Sequence, residues 1–584
     1  MGAASSPDPL VAATSALAAG DLLLAYDRST AGLAADAAHP RLRYLQVLAL
    51  ARMGETDRAF KLYDAALAAN PTDLDTLTLG ARLLKDRAWQ ASGEGAIDLI
   101  ARAADAYEAI FRRTEDAFPA INAATLAMLA GQAERAQSLA RAVLDTVGDA
   151  PSTDYYAAAT VAEAKLLLGD EAGAEVAIEQ ALDLPGCNPG ARSSTSTQLA
   201  RIVGAGGCGA RVVARLRPAP VVTFCGHMFG NSPESETALR RQIETAFDSL
   251  NSTIAYGALA CGADILVAET VLARGGELHV VLPFRIEDFI LTSVAPGGEG
   301  WIERFRHCLD RAAEVVIASE TAALNDDRQY RYGSMMMMGF ARLRARHLGT
   351  DAVQLALWDG LTPGGMAGTG ADVELWRSHG GETRVIPLDR SEFARPAAAA
   401  VTTAVEAKRE VRAMIFTDFA GFSRIDEALL PTFWELVLGR VARVVDRYTG
   451  DVCSRNTWGD ALYVVTQTST AAARLALDLQ AELDPASMGV LGEGAGMRVS
   501  AHLGSVYEAI DPVTRKVTFF GREVNKTARI EPIALVGEVY VTRAFGAVLA
   551  MESPAEFELS YVGRVALAKQ FGDEAMYRLT RAAR

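Results

Sequence analysis

The sequence predicts a multidomain chain in three parts: N-terminal all-α helical repeats, a central α/β region with a parallel sheet, and a C-terminal α+β domain. Three observations lead there. Up to about Leu216, Ala and Leu recur with helical spacing between short turns such as Met53-Gly54-Glu55-Thr56, Ala130-Gly131-Gln132 and Leu168-Gly169-Asp170. From Pro218, apolar strands alternate with helices, as in VVTFCGH followed by a helix from about Ser232 to Leu250. Beyond Arg412, apolar strands carry carboxylates at glycine turns. The expected boundaries are 1–216, 217–390, a linker at 391–410 that is rich in alanine, and 411–584.

A chain of 584 residues exceeds what one core organises, and 50% apolar with 22% charged residues is the balance of a folded globular protein. A formal net charge of −15 argues against phosphate-neutralising nucleic-acid binding. The six cysteines form no CxxC pair, so neither a zinc site nor a disulfide framework is expected. With no apolar run of bilayer length, the expectation is a soluble, cytoplasmic protein with no membrane or nucleic-acid partner.

In the first part, RLRYLQVLALARMGETDRAFKLYDAALAANPTD places Gly54, Ala59, Tyr63, Ala66 and Pro71 at positions that resemble a tetratricopeptide repeat, and weaker copies follow. The resemblance implies a surface for a protein partner. The central part resembles the Rossmann-like SLOG family of DprA and the LOG-type phosphoribohydrolases. The resembling residues are Gly226 and His227 after the first strand, then Gly257, Gly262, Asp264 and Glu269, and later Gly368 and Thr369 before a helix bearing Asp372 and Glu374. Glycines at strand ends let amides approach a phosphate or ribose, so these residues form a candidate second ligand site for a nucleotide-like molecule. The loop PGGMAGTG departs from the family's compact PGGxGT, which favours a sensor over a hydrolase.

The third part carries the chemistry. VRAMIFTDFAGFSRI is an apolar strand ending in Asp418, followed by Phe419, Ala420, Gly421 and Phe422. A second carboxylate, Asp460, lies in RNTWGDALYVV, where Gly459 permits a tight hairpin. If the hairpin lies beside the first strand, both carboxylates reach one sheet edge, where two Mg²⁺ or Mn²⁺ ions per site would activate a 3′-hydroxyl and clamp a triphosphate.

FTDFAGFS, TWGDA, MRVSAHLG and FFGREVNKTARIE occur in the order of the motifs of the class III adenylyl and guanylyl cyclases, and the region resembles that family closely. The resemblance implies a ferredoxin-like α+β catalytic domain that makes a cyclic nucleotide. It assigns Asp418, Asp460 and the Phe419 carbonyl to the metals, Asn525 to the ribose, Arg529 to the transition-state phosphoryl charge, and Lys569 to phosphate. Gly421 and Phe422 lie in the substrate-facing turn. It further implies a homodimer in which each site takes its aspartates from one subunit and its Asn/Arg helix from the other.

Base choice falls to Asn456 and Thr518 in that family's pattern. Thr518 is compatible with adenine, whereas Asn456 departs from the lysine of the adenylate and the glutamate of the guanylate pattern, and an amide, with two donors and an acceptor, can address adenine, guanine or even a pyrimidine. ATP is the favoured substrate, with a guanylate or other-base cyclase as the alternative. A catalytically inactive nucleotide-binding scaffold is the other alternative, and the two N-terminal modules are expected to regulate the domain.

Overall fold

The computed structural model describes residues 8–68, 73–91, 93–148, 152–321, 327–397, 409–484, 488, 491, 495–567 and 572–582. Its contacts group into two compact units, Met1–Pro218 with Arg346–Thr350, and Ala219–Ala345 with Asp351–Arg584. Among the described residues no helix is long and apolar enough to cross a membrane.

The first unit is a run of antiparallel helix pairs from Pro9–Ala19 to Ala210–Leu216. Helices Pro40–Arg52 and Thr56–Ala66 turn back on each other at Gly54, whose φ of +85° favours glycine. Small side chains set the spacing: Ala120, Ala123, Ala124 and Ala127 are fully buried on one helix. Tyr63 lies on Gly80 of the next helix, where a Cβ would come within 2.4 Å of its hydroxyl, and that hydroxyl donates to the Thr76 carbonyl. Asp21, Asp73, Asp116, Asp154 and Asp170 accept from first-turn amides and so start their helices. Pro71 lies outside the described residues.

The second unit contains two sheets. The first comprises β1 (Val221–Gly226), β2 (Ile254–Gly257), β3 (Glu277–Leu282), β4 (Glu314–Ile317), β5 (Ala352–Trp358) and β6 (Glu382–Pro387), in the order β4-β3-β2-β1-β5-β6. Every pairing is parallel. Its central strands β1 and β5 are buried along most of their length, as expected when helices cover both faces. The order reverses between β1 and β5, which opens a crevice at their carboxyl ends.

The second sheet comprises β7 (Arg409–Ala420), β8 (Val452–Trp458), β9 (Ala461–Thr466), β10 (Gly496–Ile510), β11 (Val517–Phe520), β12 (Val539–Thr542), β13 (Phe557–Ala566) and β14 (Asp573–Arg581). Its order is β13-β14-β12-β10-β7-β9-β8, with β11 on the far end of β10. All pairings are antiparallel except β10 with β12. Helices Ser469–Glu482 and Arg543–Glu552 bury Leu475, Leu479, Phe545 and Leu549.

The two sheets, one in each of the expected parts 217–390 and 411–584, group in one compact unit. Helix Asp327–Leu348 explains this through its two faces. Asp327, Tyr330 and Ser334, at i, i+3 and i+7, face the first sheet's crevice: Asp327 accepts from the Met366 amide at 3.0 Å, Tyr330 meets Thr292 at 3.2 Å, and Ser334 bonds to Asp372. Arg328, Tyr332 and Gly339 face the second sheet. Arg328 donates to the Arg409 carbonyl at 2.7 Å and to Glu410 at 2.9 Å, and Tyr332 donates to the Leu503 carbonyl at 2.9 Å.

Beside it, Arg543 makes a two-pronged ion pair with Glu314 of β4, which holds the Glu314 carboxyl well below the usual carboxylate range despite its burial. A Cβ on Gly339 would stand 2.0 Å from the Ala547 carbonyl oxygen. Gly339→Ala is therefore expected to destabilise the second unit by about 2 kcal/mol or more, since backbone on both sides must move apart. An unchanged denaturation midpoint would refute the close approach.

Candidate functional site

β7 runs from Arg409 into Asp418, and its last residues lead to Gly421, whose φ of +91° turns the chain into the short 3₁₀ turn Phe422–Arg424. Phe419 and Phe422 pack on Phe433, with ring centroids 5.2 and 4.8 Å apart, and so anchor this turn. β8 and β9 form a hairpin whose two-residue turn is Gly459-Asp460, with Gly459 at φ +65°. Pairing of Thr417 with Leu462 places the turn alongside the end of β7. The Phe419 amide accordingly lies 3.4 Å from Asp460 Oδ2.

Asp418 and Asp460 thus stand next to each other. Burial raises the Asp460 carboxyl above its usual range, and the charge of Asp418 raises it further. Two residues the sequence motifs contain, but to which no role was given, complete the cluster. Arg498 of β10 pairs in register with Asp418 and donates to its Oδ2, and its Nε lies 3.2 Å from Glu531 Oε1. Glu531 is pushed up to about 7, chiefly by burial and then by Asp418, with Arg498 opposing. Register across strands, not local sequence, makes these neighbours.

Asp418 and Asp460 are the two neighbouring carboxylates, and Arg498 ties Asp418 to Glu531. No group of three or more His, Cys, Asp or Glu side chains forms a metal cage among the described residues. Two neighbouring aspartates are donors of the kind a magnesium-like ion takes, the ion keeping phosphate and water ligands. The residues present are therefore compatible with the expected metals.

Helix Arg522–Ile530 buries Thr527 and Ile530 against the sheet. Glu523 accepts from His502 at 2.8 Å, and Lys526 pairs with Glu574. Asn525 is exposed on the other side, and Arg529, one turn on, is half-buried. Asn456 is exposed on β8, with its Oδ1 accepting from the Thr457 amide at 3.0 Å. Thr518 lies on β11, which meets β8 where Ser454 donates to the Val517 carbonyl at 3.0 Å. Lys569 lies outside the described residues.

The second expected site is gathered only in part. At the crevice, His227 Nε2 lies 3.0 Å from Asp359 Oδ1, and burial lowers the imidazole below its ordinary value. Asp264 accepts from the Ala260 amide at 3.3 Å through Oδ2, while its buried Oδ1 has no hydrogen-bond partner among the described residues. Burial pushes its carboxyl up to about 7 and that of nearby Asp372 to about 6. Gly368 precedes helix Thr369–Ser378 with φ +96°, and Thr369 is buried at the helix start.

Three of the glycines answer to packing. A Cβ would meet Ala263 at 2.3 Å from Gly226, the Phe224 ring at 2.0 Å from Gly257, and the Phe229 amide at 2.6 Å from Gly262. Glu269 is not part of the crevice. Its carboxylate is held by Arg304 at 2.7 and 2.9 Å and by Arg240 at 2.6 Å, between helices, and these guanidiniums depress it.

Residues 404–581 match the family model described as adenylate and guanylate cyclase catalytic domain, and residues 21–127 match TPR-S, tetratricopeptide repeats-sensor. Neither model reaches the central parallel sheet. No curated protein matches the chain. Among solved structures, the adenylyl cyclase CyaB from P. aeruginosa is similar, with 19% identity over 31% of this chain and 98% of that one, at a TM-score of 0.26. The guanylate cyclase domain of RhGC from Catenaria anguillulae, in complex with GTP, shows 19% identity over 30% of this chain and 100% of that one, at a TM-score of 0.26. An adenylate cyclase structure from Trypanosoma brucei shows 25% identity over 29% of this chain and 87% of that one, at 0.25. The chain therefore carries a C-terminal adenylate/guanylate cyclase catalytic domain and an N-terminal TPR-S region.

Proposed function

We propose that the C-terminal domain converts a nucleoside triphosphate, with ATP favoured, into a 3′,5′-cyclic nucleotide and pyrophosphate. The observation that carries this is the meeting of Asp418 and Asp460 at the end of β7, with the Phe419 backbone between them. Divalent cations bound there would supply a lowered 3′-hydroxyl pKa and neutralise charge on the triphosphate. Asp418, Asp460 and the Phe419 carbonyl hold that position. The 3′-oxygen attacks the α-phosphorus as the bond to the pyrophosphate oxygen breaks. Arg529 donates to the non-bridging oxygens as negative charge builds. Asn525 orients the ribose, and Lys569 contacts phosphate.

Asn525 is exposed on a helix whose buried face holds the sheet, so it suits a site completed by a second copy of the chain. In this reading the active form is a homodimer with two equivalent sites. Asn456 and Thr518 face the base, and neither supplies the carboxylate that reads guanine. The alternative of a nucleotide-binding scaffold draws on Arg498, which engages one of the two aspartates directly.

Regulation passes through helix Asp327–Leu348 in this reading. A nucleotide-like ligand at the crevice would touch the neighbourhood of Asp327 and Asp372, and the same helix grips Arg409 and Glu410 at the start of the strand that ends in Asp418. The helical repeats are the surface for a protein partner.

Purified full-length protein incubated with Mn²⁺ and each of four ribonucleoside triphosphates, with products identified by mass, tests the assignment. Cyclic AMP is expected as the main product. Cyclic GMP or a cyclic pyrimidine nucleotide would correct the base, and bound but unconverted nucleotide in all four would establish the scaffold.

A further inference from the structure

Arg498 holds two carboxylates at once. Its Nη2 donates to Asp418 Oδ2, and its Nε lies 3.2 Å from Glu531 Oε1. The second contact is an ion pair without hydrogen-bond geometry, since the Arg498 Nε and Glu531 Oε1 atoms are both buried and lack a hydrogen-bond partner among the described residues. One seat is fully made and the other half made.

The two seats differ in origin. Asp418 faces Arg498 across the β7–β10 ladder and stays in place with the sheet. Glu531 follows directly on helix Arg522–Ile530, at the start of the turn Glu531–Ile533, so it ties the same guanidinium to the helix that bears Asn525 and Arg529. A guanidinium cannot lose its proton, so it can release Asp418 only by moving. Glu531, with a side chain 13% exposed, would be left without a charge partner if Arg498 moved elsewhere.

We propose that Arg498 is a positioning residue that occupies Asp418 while the site holds no cation and shifts onto Glu531 when a divalent cation takes Asp418. Cation binding is then a competition with a charge built into the fold, and Glu531 is the seat that makes the exchange tolerable. The proposal rests on the metal-binding reading of Asp418 and Asp460 but does not require turnover.

The test is Mn²⁺ titration of full-length protein without nucleotide, followed by the loss of the free-ion electron paramagnetic resonance signal. Arg498→Gln is expected to bind Mn²⁺ about tenfold more tightly than the parent, because a competing cation is gone. Glu531→Gln is expected to bind it several-fold more weakly. In the double variant the Glu531 effect should largely vanish, because that residue acts through Arg498.

Unchanged or weaker binding by Arg498→Gln overturns the proposal. So does a Glu531→Gln effect of equal size in both backgrounds, which would mean a general field and no exchange of seats. Arg498→Lys guards against misfolding, since it keeps the charge without the fork and should fall between parent and Gln. Asp418→Asn separates the two levels of inference: if it leaves Mn²⁺ binding intact in every background, the metal reading itself fails.

Discussion

Asp418→Ala and Asp460→Ala are each expected to abolish cyclic nucleotide formation, with rates lower by on the order of 10³-fold or more, equivalent to about 4 kcal/mol of transition-state stabilisation. Both side chains lie on one edge, and Asp460 already feels the charge of Asp418. Removing either carboxylate leaves the other, with Glu531, to hold a doubly charged ion that needs several oxygen donors. Fold should survive both changes. Asp460 occupies a hairpin turn, and Asp418 lies near the end of a strand whose other residues stay paired with β9 and β10. Initial rates by product mass, alongside thermal unfolding, decide the matter. Residual activity within tenfold of the parent in either variant would remove the two-aspartate mechanism.

The second large effect is a recovery. Asp418→Ala and Arg529→Ala proteins are each expected to be inactive, yet an equal mixture should regain about a quarter of the parent activity if subunits exchange freely. Half the dimers are then mixed, and each mixed dimer holds one site with a sound aspartate edge and a sound arginine. The other site in the same dimer carries both lesions. Asn525 is exposed on its helix, with Thr527 and Ile530 turned inward, and in the proposed dimer it would be the residue open to another chain. A mixture as inactive as its components, with exchange verified by a tagged copy, would mean that both halves of a site come from one chain.

The sequence by itself determined what depends on neighbours along the chain. Ala and Leu at helical spacing, with aspartates at the helix starts, encode the repeats. The apolar runs of β1 and β5 encode a sheet covered on both faces. The Gly459-Asp460 dipeptide between two strand-like runs encodes a hairpin, and the apolar run up to the Gly421 turn encodes the strand that holds Asp418 near its end.

Only the tertiary structure decided which distant residues meet. Arg498 and Glu531 lie inside segments already singled out as motifs, but nothing local says that the register of β10 on β7 sets the guanidinium against Asp418. Glu269 looked like a ligand residue from its place after Gly262, and three-dimensional packing gave it instead to Arg304 and Arg240. The union of the two sheets in one unit likewise hangs on Gly339 against Ala547, Tyr332 against Leu503 and Arg543 against Glu314. Helical and strand periodicities report which face of an element is buried, whereas the partner of that face is set by packing and charge between segments hundreds of residues apart.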